Sequence, residues 1–422
     1  MTGRTERTAG RSLGIVGIAL LVSAALGYPV LIVVGRLLSP ADNAIFLAFW
    51  GIVFGIGSSL SPVEQEVSRL SAHANLRDGR VGPTALRTIA VAAVTVGVLG
   101  AVLALPPVAE RMYGAEYVSL GVIALAAAVA FALQFGTRGV LIGFGQVKPY
   151  GGLLVAEAAV RILLIGVFLV MGAANLMPIS ISVALGSFVF LPFLFTARKH
   201  VDFVGAAEPW GVVARRTLLL MLSAGLTATV LTGYPAVAKF FAAKDDLDAL
   251  GSLFLALSLA RVPLLLLSPV QAMAVPTVVR LLQEEDGHRR LVALLTKGTL
   301  AAFGLAGIGG LVGWLIGPWA VQLLFGEKHV VESWAVAGLV WSSVLLGAVL
   351  LLAAVLVARE QPGRVLLTWA AVASLSVLVL AFAPGDMVLR SVLGLVIAPT
   401  VGVFAALGLV LRAGSRDASV TG

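Results

Sequence analysis

The chain has 422 residues, of which 59% are apolar and 12% charged, with a formal net charge of +8 and a mean hydropathy of +1.04. Soluble domains carry roughly 25% charged residues, so an ordinary water-soluble fold is excluded. The chain contains no cysteine, which excludes disulfides, thiol catalysis and thiolate-bound metals together.

A helix needs about 20 apolar residues to cross a hydrocarbon core of ~30 Å. Runs of that kind predict twelve spans, at 12–35, 41–63, 86–108, 117–144, 149–173, 176–197, 214–241, 248–276, 291–317, 330–357, 364–384 and 387–411. Their unbroken apolarity excludes the short alternating strands of a membrane barrel. Arg4, Arg7 and Arg11 resemble the basic end of a signal peptide. The apolar stretch after them is too long and ends in no small-x-small cleavage site, so it is read as the first helix.

Tyr28-Pro29 lies in the first span and Ser61-Pro62 in the second, followed by Glu64, Glu66 and Arg69. Glu66 and Arg69 read as an interfacial helix pair, Glu64 as an inward-facing candidate. Gly51-x-x-x-Gly55 predicts close helix packing, as does the cluster Gly304, Gly307, Gly309, Gly310 and Gly313 in the ninth span. Arg138 falls in the fourth span, Glu157 and Arg161 in the fifth, and Arg261 in the eighth. Each in-span arginine costs about 2.5–3.5 kcal/mol near the bilayer centre and needs a protein or aqueous surrounding. Arg138 is close enough to a span end to snorkel. Arg161 and Arg261 lie some 12 residues from either end of their spans, about 18 Å along a helix, and need partners. Glu157 stands four residues before Arg161, which puts both on one helix face in the favourable order. Arg261 has no acid within four residues on its helix, and its planar fork suits the oxygens of an anionic group; cross-bundle pairing to Glu64 or Glu157 is the other reading. Trp314, Trp319 and Trp334 bracket an outer loop at 318–329 and read as an interfacial belt.

The chain repeats itself. Gly27-Tyr28-Pro29 and Leu60-Ser61-Pro62-Val63 return as Gly233-Tyr234-Pro235 and Leu267-Ser268-Pro269-Val270, at offsets of 206 and 207 residues. A common offset of half the chain marks a duplicated unit. Six spans per half make the repeat parallel, about an axis normal to the membrane. The expected fold is all-α and polytopic, with two pseudosymmetric six-helix bundles at 1–197 and 214–422 joined by a cytoplasmic linker at 198–213. Twenty of the 29 basic residues fall on the side of the termini and six on the other, so both termini are expected in the cytoplasm. These charges face anionic lipid, and no nucleic-acid partner is needed to explain them. Tyr28, Pro29, Ser61, Pro62, Tyr234, Pro235, Ser268 and Pro269 are candidate hinge and cavity positions. A helix broken by proline persists in a membrane only where protein or a cavity satisfies the loosened carbonyls.

No phosphate-binding Gly-x-x-x-x-Gly-Lys-Ser/Thr motif occurs. His73, His200, His288 and His329 lie singly in loops, without metal-ligand spacing. Asp245-Asp246 sits in a loop too short to build a transferase site. No cofactor, no metal and no catalytic residue is expected.

Arg36-Leu37-Leu38-Ser39-Pro40-Ala41-Asp42-Asn43-Ala44-Ile45-Phe46 resembles the RLLGPxxYGxF signature of the polysaccharide (O-antigen, Wzx-like) flippases. That family belongs to the superfamily shared with the multidrug and toxic-compound exporters. Arg138-Gly139-Val140-Leu141-Ile142-Gly143-Phe144 is similar to the family's LRGxGRF stretch, and Arg261-Val262-Pro263 with Gln271 to Pro276 is similar to its eighth span. Ser39 and Ala44 replace usual glycines, Tyr234-Pro235 stands where an acid is common, and the first span lacks the acid expected of a cation-coupled drug exporter. The resemblance implies a carrier, not an enzyme, that translocates a polyprenyl-phosphate or pyrophosphate oligosaccharide across the bacterial cytoplasmic membrane by alternating access. A polysaccharide polymerase and glycosyltransferases are the implied partners. Arg161, Arg261 and Arg138 would hold the anionic head, with Glu157 and Glu64 beside them. A small-molecule exporter of the drug or major-facilitator type is the alternative, and a membrane glycosyltransferase comes third. The preference for arginine over lysine, 23 to 6, suits a GC-rich genome, such as that of an actinobacterium.

Overall fold

The computed structural model describes residues 2–418 except 267 and 285, and their side chains apart from those of 2–15, 20, 24, 265–272, 275, 282, 288 and 412–418. Among the described residues, twelve helical stretches are long and apolar enough to cross a bilayer, one for each predicted span. The chain divides into two packed units, residues 1–38 with 45–236 and residues 39–44 with 237–422.

The first unit contains α1 (Thr2–Leu37), α2 (Pro40–Ser59), α3 (Ser61–Asn75), α4 (Pro83–Ala104), α5 (Pro106–Tyr113), α6 (Ser119–Gly143), α7 (Val147–Val170), α8 (Leu176–Gly186), α9 (Leu191–Ala197) and α10 (Trp210–Leu231). Helix α6 packs against both α3 and α4, while α7 packs against α1 and α8. The close approach of α6 to α3 depends on two glycines. A Cβ on Gly139 would lie 2.8 Å from the Glu64 carbonyl oxygen, and one on Gly143 only 2.6 Å from the Ser68 carbonyl oxygen. The second span is broken where Ser61-Pro62 predicts. Leu60 leaves the helix at φ −87°, ψ −6°, and Pro62 sits in the first turn of α3, where its missing N–H removes no helix bond. Gly51 and Gly55 pack as predicted, and their neighbours are the backbone of Thr232 and Gly233, with the Gly233 Cα 3.6 Å from a Cβ on either.

The predicted linker is tied to the first unit. Val81 and Val201 form an isolated parallel bridge, with the Val81 N–H donating to the His200 carbonyl at 2.9 Å and the Asp202 N–H to the Val81 carbonyl at 2.8 Å. His200 stacks on Phe144 at 4.5 Å. Arg87 lies over the Trp210 ring at 5.0 Å and donates to the Glu208 carbonyl. Arg216 on α10 pairs with Glu66 at 3.0 Å and with Glu208 at 3.1 Å, while Glu66 also pairs with Arg69 at 2.8 Å, as expected. These contacts hold α10, the seventh span, against α3 and α4. The packing boundary falls at 236, whereas the repeat in the sequence divides the chain at 198–213.

The second unit contains most of α11 (Tyr234–Phe241), then α12 (Leu247–Ala260), α13 (Val262–Leu266), α14 (Ser268–Leu282), α15 (Gly287–Phe325), α16 (Ser333–Ala358), α17 (Pro362–Phe382) and α18 (Met387–Ala418). Helix α16 is its centre, packed by α12, α14, α15 and α18. Gly309 and Gly313 bring α15 onto Val340, and Gly313 also lies against Ala337. The same expectation fails at Gly304 and Gly307, where a Cβ would meet nothing within 4 Å. Helix α15 runs through Pro318 to Phe325, eight residues beyond the predicted span end at 317. Trp319 therefore lies on the helix rather than in the predicted loop, and both Trp314 and Trp319 are exposed on its surface.

The two Tyr-Pro pairs are not equivalent. Pro29 lies inside the continuous α1, but Tyr234-Pro235 opens α11 after an interruption at Thr232–Gly233. Glycine precedes the pair at both sites, so the local sequence does not account for the difference; Gly233 is packed against Gly51 and Gly55 of α2, whereas a Cβ on Gly27 would meet nothing within 4 Å.

Candidate functional site

Four of the five charged residues singled out in the sequence meet inside the first unit. On α3, just past the break, one Glu64 oxygen accepts from the Tyr150 hydroxyl at 2.8 Å and the other lies 3.0 Å from the Arg138 guanidinium. Arg138 projects from α6, with its guanidinium 4.5 Å from the Phe135 ring centre and 5.7 Å from that of Tyr150. On α7, Glu157 receives Arg161 at 2.5 Å on one oxygen and the Gln134 amide at 2.5 Å on the other. Arg161 also donates through Nε to the Val183 carbonyl of α8 at 3.2 Å, and its guanidinium lies 4.8 Å from the Phe54 ring centre of α2.

The cluster holds two carboxylates and two guanidiniums, so its formal charge cancels. Each acid accepts from two side chains, which is the condition for keeping an ion pair in a low-dielectric interior. Glu157 and Arg161 are buried, at 7% and 6% exposure. Arg161 is enclosed from behind as well, since a Cβ on Gly186 would lie 2.4 Å from its Nε. The i,i+4 pairing of Glu157 with Arg161 was legible in the spacing. The Glu64–Arg138 pair was not, and it takes the place of the snorkelling predicted for Arg138. Two members were missed altogether. Gln134 is a fully buried amide in an apolar span, and its polarity at that depth was the available signal. Tyr150 carries no signal by itself, because tyrosine is common near span ends.

Arg261 lies in the second unit, half-buried, at the junction between α12 and α13. Its own N–H closes the last turn of α12 onto the Leu257 carbonyl at 3.2 Å, and its carbonyl accepts the Leu264 N–H at 3.0 Å. The eighth span is thus broken at Arg261 itself, because Pro263 lies in the first turn of α13. Of the hinge candidates, Tyr28, Ser61 and Pro62 are half-buried, Pro29 is exposed, and Tyr234 and Pro235 are buried. Ser268 and Pro269 open α14 in backbone conformation, and their side chains lie outside the described residues. Among the described residues, no group of three or more His, Asp or Glu side chains is placed to hold a metal.

No family model matches the sequence. The uncharacterized Mycobacterium tuberculosis protein Rv3630 is 27% identical over 400 residues, covering 94% of this chain and 91% of the relative. Rv1510 of the same organism is 26% identical over 402 residues, covering 93% and 90%. Among solved structures, the inward-facing conformation of a multidrug resistance MATE family transporter of the MOP superfamily superposes with a TM-score of 0.68 at 17% identity, covering 95% of this chain and 99% of that one. The lipid II flippase MurJ in an inward closed conformation gives 0.66 at 14% identity, covering 94% and 87%. The chain is an all-helical, multi-pass membrane protein with a MATE-like fold. The mycobacterial relatives accord with the bacterial composition.

Proposed function

We propose that the protein is a carrier that moves a lipid-linked oligosaccharide, headed by phosphate or pyrophosphate, from the inner to the outer leaflet of a bacterial cytoplasmic membrane by alternating access. The observation that supports it most is the disposition of charge. Glu64 and Glu157 are the carboxylates farthest from span ends, and both are bound by arginine. The first span contains no acidic residue between Val16 and Leu37. A cation-coupled exporter needs a carboxylate that binds and releases its ion, and this arrangement offers neither acid without first breaking an ion pair. Arg161 is enclosed by its own unit, so the recognition of an anionic head is assigned to Arg261, at the break in the eighth span. Its planar fork matches phosphate oxygens in a way that lysine does not. The polyprenyl tail needs only apolar surroundings, and only the head crosses a polar path.

The MATE likeness supports a second reading, export of a small molecule, on the same fold. The two are separated in proteoliposomes. The protein should accelerate leaflet exchange of a polyprenyl-pyrophosphate sugar while leaving its covalent structure intact. Arg261→Lys should keep part of that rate and Arg261→Ala should lose at least about tenfold, equivalent to about 1.4 kcal/mol. Exchange that is unchanged in Arg261→Ala overturns the assigned role. Gradient-driven efflux of organic cations, with no exchange of the sugar lipid, establishes the exporter instead. A sugar-transfer or chain-extension product formed by this protein alone rejects both.

A further inference from the structure

The second unit contains a half-open cavity of about 640 Å³ lined by α13, α14, α15 and α16. Its size lies within the roughly 300–1,000 Å³ range of small-molecule sites. The wall is aliphatic: Leu294, Leu305, Leu351 and Val355 are typical, and among the described residues no charged one lines it. Three hydroxyls lie on the wall, those of Thr277, Thr299 and Ser343; of these, Thr277 donates to the Met273 carbonyl at 2.7 Å and Ser343 to the Leu339 carbonyl at 2.9 Å. Both are therefore spent within their own helices. Two of the lining residues, Val278 and Val355, belong to a buried cluster with Leu291, Leu356 and Val410. On the α15 side Gly298 leaves room, because a Cβ there would meet nothing within 4 Å.

The chemistry of such a wall selects its occupant. Water does not fill an apolar cavity, and a polar or cationic ligand would lose its hydration without gaining partners. A hydrocarbon chain loses nothing by entering. The cavity also adjoins the broken span, since Pro263 and Leu264 line it and Arg261 directly precedes α13. We propose that this cavity receives the polyisoprenoid tail of a polyprenyl phosphate whose anionic head lies toward Arg261. The identity of the head rests on the flippase reading above, whereas the preference for a hydrocarbon chain rests on the wall alone. A single-chain lipid suits one cavity. A diacyl phospholipid would have to splay and leave its second chain elsewhere.

The test is photolabelling of the full chain in nanodiscs with a polyprenyl phosphate carrying a diazirine in its tail, the adducts being mapped by mass spectrometry. Labels are expected on residues 294–305 and 343–355. Gly298→Leu should reduce them at least about tenfold by filling the space. Gly304→Leu should leave them unchanged, because Gly304 is equally open to a Cβ but does not line the cavity. Adducts confined to other segments, or labelling that Gly298→Leu does not reduce, overturn the assignment. So does equal labelling by a diazirine phosphatidylglycerol that unlabelled polyprenyl phosphate fails to displace. Labelling reads binding without transport. A labelled cavity in a protein that exchanges no sugar lipid overturns the transport reading and keeps the site, and active exchange without labelling does the reverse.

Discussion

Glu157→Ala removes the acceptor shared by Arg161 and Gln134. The side chains of Arg161 and Glu157 are only 8% and 10% exposed, so solvent screens the remaining guanidinium little. Breaking a buried pair by removing one partner costs about 3–5 kcal/mol. Arg161 keeps the Val183 carbonyl and the Phe54 face, which favours the lower end, about 3 kcal/mol, or more than about a hundredfold in the folded-to-unfolded ratio. Arg161→Met should be comparably damaging, because it leaves the buried Glu157 carboxylate with no counter-charge from Arg161 and only the Gln134 amide donating to it among the described contacts. The double variant Glu157→Ala/Arg161→Met should be milder than either, about 1–3 kcal/mol, because no charge is left and only the Gln134 amide loses its acceptor. The assay is the thermal loss of monodisperse protein in detergent, ranked across wild type, both single variants and the double, and read as a double-mutant cycle. A double variant that is the least stable of the four, with the single effects simply adding, would refute the argument that the two charges exist in the unit for each other.

Gly143→Ala should destabilise the first unit by about 1–3 kcal/mol through overpacking, since the new methyl meets both the Ser71 Cβ and the Ser68 carbonyl. Gly166→Ala, in the same bundle with nothing within 4 Å of its Cβ, should instead stabilise it, by roughly 0.5–1 kcal/mol. Burial raises the Tyr113 phenol well above its ordinary value. An unfolded tyrosine ionises near pH ~10, so the unfolded state sheds that proton first and stability should fall as pH rises through ~10. Phenolate absorbance from Tyr113, isolated by comparison with Tyr113→Phe, should appear only as the protein unfolds; early ionisation in folded protein rejects the burial argument.

Some of the site was written in local spacing. Glu157 and Arg161 are one helical turn apart, and their pairing follows from helix geometry whatever surrounds them. Ser61-Pro62 marked its break because proline withholds a backbone donor, while the break at Arg261 was not read from Pro263. Tyr28-Pro29 and Tyr234-Pro235 show where that rule ends. The same Gly-Tyr-Pro sits in a continuous helix at one position and at an interruption at the other, where Gly233 packs against α2. Gly304 and Gly307 make the same point, since only the register of α15 on α16 decides which glycines face a neighbour.

What the sequence determined by itself is the solvent and the set of elements: all twelve spans follow from apolar run length, because a bilayer leaves a backbone of that length no satisfied alternative to helix. The tertiary structure decided the partners. Glu64 and Arg138 are 74 residues apart in the chain, and they meet because Gly139 and Gly143 let α6 approach α3 to backbone contact. Likewise, α10 belongs to the first packed unit because Arg216 finds Glu66 and Glu208 there. Hydropathy reports how each segment meets lipid, but which polar groups meet one another depends on helix register and approach, which exist only once the helices have packed.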